Sequence, residues 1–103
     1  GGDAPAPLRV TFTGPVVRPW VRVGGVLVEL AGSLAYDETV TVDSRLMTIT
    51  RADGDSVPGM LGARVRLVDL RLPPGEHEVT FGGSDLTGTA TATVAWRDAF
   101  RSL

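Results

Sequence analysis

The sequence predicts an all-β fold, a sandwich or barrel of about eight short, mostly antiparallel strands. Three observations predict it. Apolar residues recur with period two in one segment after another. Thirteen glycines and seven prolines divide those segments without any repeat period. No stretch carries a helical apolar stripe of useful length. At 103 residues, the chain is one domain of ordinary size. Folding of such a chain hides about 65% of the surface that the unfolded chain exposes, enough for one core. Residues 1–6 are expected to be a tag scar (Gly1-Gly2) and linker, with a single domain over 7–103.

The elements follow in order. Leu8, Val10 and Phe12 alternate with Arg9, Thr11 and Thr13, which puts three apolar side chains on one face of a first strand that Gly14-Pro15 ends. Val17 to Val23 predicts a second strand, and Pro19 within it calls for an edge position or a bulge. Gly24-Gly25 is a tight-turn signal leading into Val26, Val28 and Leu30, the pattern of a hairpin. Gly32 breaks that strand. Leu34 and Tyr36 precede a polar corner at Asp37-Glu38, after which Val40 and Val42 alternate with threonines up to a turn at Asp43-Ser44. Leu46 to Arg51 is a further strand, with Met47 and Ile49 on one face and Thr48 and Thr50 on the other.

Residues 52–63 have no clear period and predict a surface loop with, at most, a short edge segment. Val65 to Leu72 resumes extended structure, with Val68, Leu70 and Leu72 on one face, and Pro73-Pro74-Gly75 stops it. Glu76 to Phe81 gives a strand with His77, Val79 and Phe81 aligned, followed by a turn at Gly82-Gly83-Ser84-Asp85. Gly88 to Trp96 is the last strand, with Ala90, Ala92, Val94 and Trp96 facing the core. Residues 97–103 are expected to add a final helical turn at most.

Composition excludes several function classes. The chain has no cysteine, so neither disulfides nor thiolate metal sites can form. No apolar run is long enough to span a membrane as a helix. The ten cationic residues, all Arg, are interspersed with twelve acids for a net charge of −2, so no single-sign block draws nucleic acid or an anionic bilayer.

A search for catalytic residues finds none. His77 is the sole histidine, so no two-histidine metal site exists within the chain. Its register with Val79 and Phe81 favours a packed or half-exposed strand histidine over a catalytic base. None of the serines sits in a nucleophile elbow. Asp53 with Asp55 and Asp37 with Glu38 are acid pairs, and solvated turn carboxylates are favoured over calcium ligands or a glycosidase pair because the loops supply no full set of oxygens. Gly82-Gly83-Ser84 lacks the lysine and helix of a phosphate cradle. Trp96 is expected in the core. Trp20, between Arg18 and Arg22, is either a cap on one end of the core or an aromatic platform for sugar or protein. No cofactor is expected.

Several segments in order resemble a known family. They are the opening Val10-Thr11-Phe12-Thr13-Gly14-Pro15-Val16, then Pro19, Val21 and Val23, the strand from Val26 to Leu30, and Leu34 with Glu38 to Arg45. The closest local likeness is Leu72-Pro73-Pro74-Gly75 running on to Phe81, with His77 where the family usually has Asn, and the series ends in Gly88 to Arg97 with Trp96. Together they resemble the C-terminal domain of the distal tail proteins of long, non-contractile-tailed bacteriophages. The resemblance implies a galectin-like or jelly-roll β-sandwich over 7–103. It also implies a structural, non-enzymatic role in a phage or prophage tail-tip hub, where a ring made by the full-length protein joins the tail tube to the adsorption apparatus. The partners would be other tail and baseplate proteins, the location the virion tail tip, and the isolated domain monomeric. Leu72, Pro73, Pro74, Gly75, Phe81 and Trp96 would be structural, while Arg18, Trp20 and Arg22 are expected at an interface or glycan platform because exposed Arg and Trp serve as anchors. The alternatives are a carbohydrate-binding sandwich that recognises a host surface and a cell-surface adhesion domain.

Overall fold

A computed structural model describes residues 6–73, 77–85, 88–96 and 99–102, the last four by their backbone. The scar and linker expected at 1–6 lie outside it, save for Ala6. Among the described residues, ten strands form two antiparallel sheets. They are β1 (Ala6–Thr13), β2 (Val16–Val23), β3 (Val26–Glu29), β4 (Ser33–Leu34), β5 (Thr39–Asp43), β6 (Thr48–Arg51), β7 (Arg71–Leu72), β8 (Val79–Ser84), β9 (Thr91–Trp96) and β10 (Ala99–Ser102). The larger sheet runs β10-β9-β1-β5-β6, with β7 also on β1. The smaller is β3-β2-β4, with β8 on the other side of β2.

The fold is therefore all-β and sandwich-like, and the period-two pattern is its cause. Leu8, Val10 and Phe12 of β1, Val40 and Val42 of β5, Ile49 of β6, and Ala92 and Val94 of β9 are buried from the large sheet. Val16, Val21, Val23, Val28, Leu30 and Leu34 meet them from the small sheet. Leu70 and Leu72 complete the cluster. Fully burying each Val, Leu, Ile or Phe side chain of this cluster is worth about 1.5–3 kcal/mol.

Pro19 marks a bulge, not an edge. The β2–β8 register slips between Val17 and Trp20, and Arg18 adopts a left-handed φ of 48°. A bulge inserts one residue and so reverses the parity of the strand. Val16 and Val21 consequently both face the core, although a regular strand would put them on opposite faces, and Val17 is left 49% exposed. The β2–β3 connection closes at Gly24-Gly25, whose φ values of 53° and 86° suit the tight hairpin turn that the glycine pair signals.

Four segments differ from the sequence expectation, each for a local reason. Leu46 and Met47 belong to the β5–β6 turn rather than to a strand, because Asp43 Oδ1 accepts the backbone N–H groups of Arg45 and Leu46 and bends the chain there. Val68 is 59% exposed in a 3-10 turn over Leu67–Asp69, where Leu70 N–H bonds back to Leu67 O, so only Leu70 and Leu72 reach the core. β8 continues through Gly82-Gly83 to Ser84 instead of turning, because it pairs with β2 as far as Val17. Ala99–Ser102 is a strand, not a helical turn: it satisfies the open edge of β9 by pairing Phe100 with Ala95 and Arg101 with Val94. β8 and β9 also begin later than expected, at Val79 and Thr91. The loop over 52–63 holds a short 3-10 turn at Pro58–Met60 and single bridges to Leu30 and Thr50.

Candidate binding surfaces

The sheets turn two chemically different faces outward. On the small sheet, Trp20 and Arg22 of β2 lie on the face opposite Val21 and Val23. Trp20 is in register with Glu29 of β3 and Gly82 of β8, and Arg22 with Leu27 and Thr80. A Cβ on Gly82 would run into Cζ2, Cε2 and Nε1 of Trp20, so the indole lies across the glycine backbone. Trp20 remains half-exposed, while Arg18 and Arg22 are exposed. The bulge separates Arg18 from the regular register that joins Trp20 and Arg22. Trp20 thus covers the outside of the sheet and does not close an end of the core.

The residues of the Leu72-to-Phe81 segment sit at the junction of the sheets. Leu72 is buried and pairs with Ala6. Pro73 contributes a carbonyl oxygen that accepts Nε2–H of His77 at 2.6 Å. Pro74 and Gly75 lie outside the described residues. Phe81 is half-buried opposite Val21. The His77 ring meets Trp96 edge-on, with centroids 6.1 Å apart, and occupies the space above Gly24. His77 is a packed, half-buried residue just before β8, clasping the β2–β3 turn to the end of β9. Trp96 is only partly buried, against the core rather than within it.

The outer face of the large sheet is lined by threonine. Register places Thr93, Thr11, Thr41 and Thr50 side by side across β9, β1, β5 and β6, with Thr91, Thr13 and Thr39 forming the next rank. On the other side of the first rank stand Ala95, Arg9, Asp43 and Thr48. Two shallow concavities of about 400 and 350 Å³ meet along Arg9, Asp43 and Ala95. The larger lies over the threonines, and the smaller ends at Pro7, Arg45 and Trp96. The sequence shows the threonines as four Thr-X-Thr triplets, but cross-strand register, which aligns them, is a tertiary property.

The acid pairs are used locally. Glu38 Oε1 accepts Ala35 N–H, and its Oε2 pairs with Arg51 at 2.7 Å. Asp53 Oδ1 accepts Asp55 N–H within its own turn. Among the described residues, no group of three or more His, Asp or Glu converges as metal ligands would.

No family model matches the chain, and no curated protein or solved structure matches it either.

Proposed function

We propose that this chain is a structural domain of a phage or prophage distal tail protein, with the galectin-like or jelly-roll arrangement of that family. In this reading it is not an enzyme. It resides at the virion tail tip and meets other tail and baseplate proteins through the ring of the full-length protein. One observation supports it: the ordered segments that carry the resemblance supply the strands of both sheets, from β1 and β2 through β5 to β8 and β9. Cryo-electron microscopy of particles carrying the full-length protein tests the reading. Density for the domain at the tube–adsorption junction is expected, and density elsewhere overturns it. Light scattering on the isolated chain should give the mass of one copy, and a stable hexamer would contradict that expectation.

A second reading, recognition of host-surface carbohydrate, draws support from Trp20. An indole laid over a glycine backbone and still half-exposed, beside Glu29 and Arg22, is a platform on which a sugar ring can stack. Glycan binding that disappears in Trp20→Ala while the fold persists would favour this reading over a purely structural role.

A further inference from the structure

We infer that the trough on the outer face of the large sheet is a binding site for a neutral oligosaccharide, seated over Arg9, Asp43 and the threonine rank. Arg9 and Asp43 are direct cross-strand partners on β1 and β5, the arrangement in which opposite charges ordinarily attract. They nevertheless form no ion pair within 4 Å. Arg51 of β6 and Glu38, just before β5, do close. Asp43 spends one carboxylate oxygen on the backbone N–H groups of Arg45 and Leu46, which fixes its position. Its second oxygen and the Arg9 guanidinium have no protein partner among the described residues. Both residues line both concavities.

That pair selects a ligand chemistry. A carboxylate only accepts hydrogen bonds and a guanidinium only donates them. A sugar diol does both, so adjacent hydroxyls can donate to Asp43 and accept from Arg9 at once, with charge-assisted strength. An anionic ligand would face Asp43, and a cationic one Arg9 and Arg45, so a neutral ligand fits best. The threonine hydroxyls extend the same chemistry across the sheet. Thr11 and Thr41 share one bond at 3.1 Å, whereas Thr50 and Thr93 have no protein partner among the described residues and can each donate and accept. Four strands span about 14 Å at ordinary strand spacing, the scale of a short oligosaccharide. Trp96 borders the smaller concavity at its end.

The inference does not depend on the tail assignment, and it places the ligand on the sheet opposite Trp20. The test is a two-dimensional NMR titration of the 103-residue chain with maltotriose, cellotriose and triacetylchitotriose, with trigalacturonate as the acidic control. At least one neutral trisaccharide should shift amides around Arg9, Thr11, Asp43 and Thr93 while those of Trp20 and Arg22 stay in place. Asp43→Asn, which keeps the acceptor for the turn, and Thr11→Val, which keeps the shape, should each weaken binding by about tenfold, and Val68→Ala, at an exposed residue that lines neither concavity, should leave it unchanged. The spectrum of each variant reports its fold, and the wild-type shift map decides the matter even where a variant fails to fold. Shifts centred on Trp20 would overturn this inference while favouring the Trp20 platform. A preference for trigalacturonate, or no shift with any trisaccharide, would overturn it as well.

Discussion

Ser44 and Leu8 exchange hydrogen bonds at the end of the large sheet. The Ser44 hydroxyl accepts Leu8 N–H at 2.8 Å, and the Ser44 backbone N–H donates to Leu8 O at 3.0 Å. The same hydroxyl, 1% exposed with its residue, donates to Leu70 O at 2.7 Å and approaches Leu8 O at 3.1 Å. One side chain therefore ties β1, the β5–β6 turn and the segment before β7 together. Ser44→Ala leaves Leu8 N–H buried without its acceptor, which costs about 1–3 kcal/mol. Urea denaturation should show a lower midpoint with an unchanged slope.

Trp20 and Gly82 are expected to be coupled. Gly82→Ala should destabilise the fold by about 1–3 kcal/mol, because a Cβ there meets the indole and the ring must shift. With Trp20→Ala already in place, the same substitution should cost far less. A double-mutant cycle by denaturation measures the difference, and additive losses would mean that the ring does not rest on the glycine.

Met47 is strained without a packing reward. Its φ is 57° and its side chain is 45% exposed at the β5–β6 turn. Met47→Gly should be neutral or stabilising by up to about 1 kcal/mol, because the relief of left-handed strain exceeds the entropic cost of glycine. The thermal midpoint checks this. A clear loss of stability would give the Met47 side chain a role that its exposure does not suggest.

Arg51→Ala should cost no more than about 1 kcal/mol, since the ion pair with Glu38 is partly exposed and screened by water. Raising the salt concentration should shrink the difference between Arg51→Ala and the parent chain in denaturation experiments.

The sandwich was legible because alternation is a local signal: Leu8-Val10-Phe12 and Val40-Val42 need only a strand to become a core face. What the sequence concealed has non-local causes. The parity change at Arg18-Pro19 depends on how β8 meets β2, and it leaves Val17 exposed. The Leu46-Met47 turn depends on an aspartate reaching two backbone groups, while alternation alone argued for a strand. Gly82-Gly83 carried a turn signature that the Trp20 ring and the β2 pairing override. Of the three residues singled out, Trp20 and Arg22 share one outer face of β2, and the bulge takes Arg18 out of their register. Arg9 and Asp43 were invisible as a pair, because only the β1–β5 register makes them neighbours.

That same register has a kinetic consequence. β1 lies between β5 and β9 and pairs with β9 from Leu8–Trp96 to Thr13–Thr91. The β9-facing edge of β1 therefore stays unpaired until the chain has been synthesised as far as β9. Closing so long a loop slows folding, and a waiting apolar strand with a bare edge invites association between nascent chains. Arg9 and the threonines on the solvent side of β1 keep that edge polar on one face during the wait.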